Sequence, residues 1–176
     1  MKRMLVRLLT VLMLGLIPAS GLVTPASAVT RVQLADAASR AAFEPVTGGQ
    51  FKQVRKIYPK QLNWTTDGCS VPKVITTSVS GMGLVLRYYS RVFHDSCVRH
   101  DFGYRNFGGN ASGPGAHPKL GVNATTKTRI DKRFLNNMKI QCAAKYHTWV
   151  TKRACNSAAN TFYLAVVKGG KKAFFG

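Results

Sequence analysis

The stretch Cys97-Val-Arg-His-Asp-Phe-Gly-Tyr-Arg-Asn106 places four chemistry-bearing side chains at helical spacing. Residues three and four apart on a helix share a face, so Cys97, His100, Asp101 and Tyr104 form one stripe. A thiol, a titratable base, a carboxylate and a phenol make poor material for a plain core. His100 and Asp101 stand about 100° apart around the axis, at ~3.6 residues per turn. They are either a polar helix face with a satisfied histidine or the border of one cleft, where they serve different targets, one a proton and the other a cation. Two more carboxylates sit in short motifs. Asp67 opens the turn Asp67-Gly-Cys69, which is either a plain Asp-Gly turn or a loop where Asp67 and nearby backbone carbonyls offer oxygen ligands to a hard cation. Asp131, flanked by Arg129, Lys132 and Arg133, lies one residue from an apolar stripe. That position suits either a surface ion pair or a partly buried partner.

The balance of charge makes these carboxylates conspicuous. Six acids face 26 Lys and Arg, for a formal net charge of +20. Solubility is already supplied by the cations, so each remaining acid invites a specific reason. The excess attracts polyanions such as nucleic acid, anionic lipid or acidic cell-wall polymers, without saying what is done to them.

The elements that must hold these residues can be read in outline. The first 28 residues have the form of an export leader, with Lys2, Arg3 and Arg7, an apolar run from Leu8 to Ile17, and the small-residue site Ala26-Ser27-Ala28. The run of about 10 residues is short of the ~20 that a membrane span needs. A secreted, extracellular chain of about 148 residues is expected, with an excess charge of about +17 once the leader's three cations are gone. All four cysteines fall after the leader. An even count in an exported chain points to two disulfides, with three pairings open. Zinc is the competing use, since Cys97-x-x-His100 looks like half a site, but Cys142 and Cys155 are too widely spaced for a zinc knuckle.

Residues 29–60 form an N-terminal extension, partly helical from Val32 to Phe43, that packs over the core or hangs as a loose arm. Ser70 to Asp95 reads as a loop with some extended or irregular helical structure. Gly108 to Gly121 is an exposed connection rich in glycine and proline. A second helix begins near Asn123 or Thr125 and buries Ile130, Phe134, Met138 and Cys142 at i+4. A third runs from about Cys155 to Lys168, stopped by Gly169-Gly170, and leaves a basic, aromatic tail. No alternating strand pattern appears. The fold class expected is all-α, a small helical domain with long loops.

Three pieces together, in this order and spacing, resemble the secreted prokaryotic-type phospholipases A2. They are the Asp67-Gly-Cys69 turn, the Cys97 to Asn106 helix, and Arg129-Ile-Asp131 with its helix. Ala154-Cys-Asn-Ser157 before an aromatic helix also fits, so the resemblance spans roughly Trp64 to Lys168. It implies a catalytic domain over 61–176, with antiparallel helices stapled by Cys69–Cys97 and Cys142–Cys155. It further implies that His100 is a general base and Asp131 the carboxylate orienting it. Asp67, Asp101 and the Gly68 carbonyl would be calcium ligands. A backbone ligand does not depend on its side chain, so glycine at 68 bears on loop rigidity more than on ligation.

The residue chemistry agrees with those implied roles. Ester hydrolysis needs an activated water and stabilisation of an oxyanion. A histidine titrates near neutrality, and a calcium ion keeps coordination positions open for phosphate and carbonyl oxygens. No G-x-S-x-G serine motif is present to support an acyl-enzyme route. The expected function is calcium-dependent hydrolysis of the sn-2 ester of glycerophospholipids at a membrane surface, preferably anionic. A non-catalytic cationic membrane-binding or antimicrobial protein is the alternative, and intact Asp67, His100, Asp101 and Asp131 argue against it. A secreted nuclease is the third class. No base-stacking or groove-reading motif supports it, so no nucleic acid partner is expected. The sequence is silent on oligomeric state.

Overall fold

The computed structural model describes residues 28–69, 82–110 and 114–176. All but the last residue of the expected leader, and residues 70–81 of the expected loop before the central helix, lie outside these. Among the described residues there are six helices and no strand: α1 (Arg31–Phe43), α2 (Gln50–Ile57), α3 (Met82–Val92), α4 (His94–Phe107), α5 (Ala124–Lys145) and α6 (Trp149–Phe175). None of them is long and apolar enough to cross a membrane. The all-α expectation holds, and so does the pairing of the cysteines. Cys69–Cys97 and Cys142–Cys155 are bonded, with Cα atoms 5.2 and 5.7 Å apart. With all four thiols in disulfides, none remains for zinc.

Local sequence explains why the flanking helices form. Thr30 and Gln33 close a capping box at the start of α1. The buried face of α1 is built from Ala37, Ala38, Ala41 and Ala42, and these short side chains let it lie close against its neighbours. Glu44 then accepts the N–H groups of Gln50 and Phe51 at the head of α2, at 2.9 and 2.5 Å. The same carboxylate takes a hydrogen bond from Arg99 of α4 at 2.7 Å. Arg99 also donates to the carbonyls of Val46 and Gly48, so one buried ion pair ties α1, α2 and their connection to the central helix. The segment 29–60 thus packs on the core through Phe51 and Val54.

Helix α4 is covered on most of its circumference. Cys97, Arg99, His100, Phe102, Tyr104, Asn106 and Phe107 are all buried. Phe102, Tyr104 and Phe107 join one apolar cluster with α1 and α2. Cys97 joins another, built from α3, α5 and α6. Helix α5 is capped by Asn123, which accepts the Thr126 N–H at 2.8 Å, and its buried stripe is the expected Ile130, Phe134, Met138 and Cys142. It runs antiparallel to α4, as the pairs Ser96–Gln141 and His100–Asp131 show. The short link to α6 makes a second antiparallel pair, stapled by Cys142–Cys155.

The last helix departs from expectation. Instead of stopping at Gly169-Gly170, α6 continues to Phe175. A glycine costs a helix only about 1 kcal/mol relative to alanine, and packing outweighs that here. A Cβ on Gly170 would sit 2.6 Å from the Tyr104 hydroxyl oxygen, so glycine lets α6 reach α4. Phe174 is fully buried, with its ring 5.1 Å from that of Tyr104. The residues expected as a tail therefore close one side of the interior. The helix also starts earlier than the expected Cys155, at Trp149, which is 70% exposed.

Candidate active site

His100 and Asp131 face each other across the α4–α5 seam. The histidine Nε2 lies 3.0 Å from Asp131 Oδ1, both side chains are over nine-tenths buried, and the imidazole is flanked by the rings of Tyr104 and Phe134. Two further groups reach the same carboxylate. Tyr104 donates its hydroxyl to Oδ1 at 2.8 Å, and Lys127, one helical turn before Asp131, donates to Oδ2 at 2.7 Å. Lys127 also reaches the Val166 carbonyl of α6 at 3.2 Å, so it holds the carboxylate and α6 together.

Burial alone would raise the Asp131 carboxyl. Hydrogen bonds from His100 and Lys127, the His100 charge and the Tyr104 hydroxyl outweigh it, and leave the group below its ordinary range. Asp131 is therefore an anion at neutral pH. The Tyr104 phenol is pushed far upward, first by burial and then by the Asp131 charge, so it stays a donor. An anion with three donors fixes the ring that faces it. With Nε2–H given to Asp131, the basic lone pair falls on Nδ1.

The Asp67 turn is positioned by residues just ahead of it. Asn63 and Asn106 form a buried reciprocal pair, in which Asn106 Oδ1 accepts the Asn63 N–H and its amide donates to the Asn63 carbonyl, both at 2.8 Å. Trp64 stacks on Phe102 with ring centroids 4.4 Å apart. The chain then passes Asp101, whose Oδ2 accepts the Thr66 hydroxyl at 2.6 Å and the Asp67 N–H at 3.0 Å. Gly68 adopts φ +67°, the left-handed region glycine enters without strain, and Cys69 is bonded to α4 directly after it.

Burial raises the Asp101 carboxyl above its ordinary value, despite the Thr66 hydrogen bond and the nearby His100 and Arg105 charges. Its negative charge is under-compensated. A second carboxylate on Asp67 and the Gly68 carbonyl lie on the adjoining turn, so the donor set is hard oxygen, which fits a cation such as calcium. Among the described residues no three His, Cys, Asp or Glu side chains gather as a metal site. A cation here would rest on two carboxylates, backbone carbonyl and water. Asp67 Oδ2 is 2.8 Å from the Arg105 guanidinium.

A cleft of ≈ 270 Å³ joins these parts. Asp67, Gly68, His100, Asp101 and Tyr104 line one side, and Phe134, Phe162, Ala165 and Val166 give the other an apolar wall. A second, polar pocket of ≈ 390 Å³ shares the Asp67–Asp101–Tyr104 wall and adds Thr65, Thr66, Arg105 and Asn110. An apolar slot and a polar pocket thus meet at one row of side chains.

Every residue singled out from the sequence for this site falls in or beside the cleft. Sequence reasoning missed Lys127, Asn63 and the work of Asn106. Only Lys127 left a signal, as a lysine four residues before Asp131.

The model of a family described as prokaryotic phospholipase A2 matches residues 40–170. A protein of Beauveria bassiana (strain ARSEF 2860) named "Secretory phospholipase A2" is 30% identical over 108 residues, which are 61% of this chain and 44% of that protein. The chain thus spans less than half the length of this relative.

Proposed function

The chain belongs to the prokaryotic phospholipase A2 family, and from that premise we propose that it hydrolyses the sn-2 ester of glycerophospholipids to a fatty acid and a lysophospholipid. The observation that carries this reading is the buried His100 Nε2–Asp131 Oδ1 contact of 3.0 Å on the wall of a half-apolar cleft.

The chain's own residues suit each step. His100 Nδ1 accepts a proton from water as that water attacks the ester carbonyl, a general-base contribution of ~10²–10⁴-fold. Asp131 holds the tautomer that leaves Nδ1 basic, and its charge stabilises the imidazolium that forms. The imidazolium then returns the proton to the departing lysophospholipid oxygen. Phe134, Phe162 and Val166 give an acyl chain an apolar surface from which water is excluded. Asp67, Asp101 and the Gly68 carbonyl would hold a calcium ion, which when bound supplies Lewis-acid stabilisation of the oxyanion.

Export and action at a lipid surface belong to the same reading. Two disulfides suit an oxidising compartment, and the fungal relative's name includes "secretory". The net charge, +20 for the full chain and about +17 without the leader, supports a preference for anionic over zwitterionic membranes. The domain reading goes with it: a leader over 1–28, an N-terminal extension over 29–60 and the catalytic domain over 61–176.

The test is regiochemical. Vesicles of phospholipid with different sn-1 and sn-2 chains should release the sn-2 fatty acid, with release stopped by chelator and restored by calcium. Vesicles that bind the protein and release nothing under any calcium condition would leave the cationic membrane-binding protein as the better account.

A further inference from the structure

The Arg105–Asp67 pair is lopsided. The Arg105 side chain is 16% exposed and that of Asp67 is 76% exposed, at 2.8 Å. The arginine side chain is largely removed from water, while its carboxylate partner stands mostly in it. A pair with one partner so wet is weak, worth a few-fold in an equilibrium constant, and is readily exchanged. The desolvated guanidinium needs an anion more than Asp67 needs the guanidinium.

Asp67 is also the exposed member of the two carboxylates that fit a cation. The guanidinium therefore sits where a divalent ion would have to compete. Once that carboxylate is taken, a half-buried positive charge is left beside a dication, in the wall of the polar pocket. The pocket's hydroxyls are already committed, Thr66 to Asp101 and Thr65 to Asn63. A guanidinium carries five N–H donors in a planar fork that matches phosphate oxygens. The apolar wall for an acyl chain lies on the other side of the same row of residues.

We propose that Arg105 holds Asp67 in place of calcium in the unloaded protein, and on displacement becomes the donor for the phospholipid's phosphate group. This rests on reading Asp67 and Asp101 as the cation's ligands. Two consequences separate it from a merely structural role. Removing Arg105 should tighten calcium binding, since a competitor and a like charge are lost, and it should weaken recognition of a phosphate-bearing substrate.

Calcium titration by calorimetry, on the full chain without lipid, reads the first consequence. Arg105→Gln should bind calcium about two- to fivefold more tightly than the parent, and Arg105→Lys should fall between them. The second is read with dihexanoylphosphatidylcholine below its micellar concentration. There Arg105→Gln should raise KM about tenfold or more, with kcat within about twofold. If the parent binds calcium and Arg105→Gln binds it no more tightly, Arg105 orients Asp67 and the placeholder role is wrong. An unchanged KM would overturn the phosphate role. If the parent binds no calcium, the ligand reading fails and this proposal fails with it.

Discussion

At the scale of single residues, the site is a carboxylate over-supplied with donors beside one that is under-supplied. Asp131 takes hydrogen bonds from His100, Tyr104 and Lys127, whereas Asp101 has the Thr66 hydroxyl and one backbone N–H against its burial. The first is suited to remain a fixed anion, and the second to receive a cation. Lys127 contributes to both stability and orientation, since it joins Asp131 to the Val166 carbonyl. Lys127→Met keeps most of the stem's volume and deletes the ammonium. A hydrogen bond to a charged group contributes about 1.5–3 kcal/mol, so Tm should fall by several degrees, at about 2–4 °C per kcal/mol. Turnover should drop with little change in KM, because Lys127 steadies Asp131 and lines neither pocket. Thermal unfolding beside kcat and KM checks this, and a rise in KM alone would place Lys127 elsewhere in the mechanism.

At the scale of elements, Glu44 and Arg99 tie α1 and α2 to α4. Burial raises the Glu44 carboxyl, but hydrogen bonds from Arg99, Phe51 and Gln50 together outweigh it and hold the group below its usual range. A carboxyl lowered in the folded state stabilises the fold fully above its unfolded pKa of about 4.3, and the contribution is lost as pH falls through the folded value. Glu44→Gln should therefore cost about 3 kcal/mol at neutral pH by leaving Arg99 buried without its anion. The gap to the parent should narrow below about pH 4, as measured by denaturant unfolding across pH. A gap independent of pH would mean that the ionised carboxylate is not what matters. Several elements were legible from local causes, although the helix α3 falls within the stretch read from the sequence as a loop. The α5 stripe from Ile130 to Cys142 and its Asn123 cap lie in adjacent residues, and so does the His100–Asp101–Tyr104 face. The continuation of α6 was not legible, because Gly170 is required by Tyr104, 66 positions earlier. Nor was the Asn63–Asn106 pair, since neither asparagine has a local pattern that names its partner.

At the scale of the whole molecule, charge and cleft serve different steps. A net charge of +20 in the full chain, about +17 without the leader, acts over a Debye length of about 8 Å at physiological salt. It therefore governs arrival at a surface more than chemistry within the cleft. Binding to anionic vesicles should exceed binding to zwitterionic ones and fall steeply with added salt. Equal partitioning at low ionic strength would show that the charge serves another purpose. The central claim is narrower: one imidazole activates water, and two nearby carboxylates hold the cation. The most direct measurement sets phospholipid hydrolysis beside calcium affinity for His100→Ala and Asp101→Asn. The account predicts that His100→Ala loses ~10²–10⁴-fold in kcat while binding calcium nearly as well as the parent, and that Asp101→Asn loses affinity and activity together. Full chelator-sensitive hydrolysis by His100→Ala would contradict it, even if the protein proved to be a lipase.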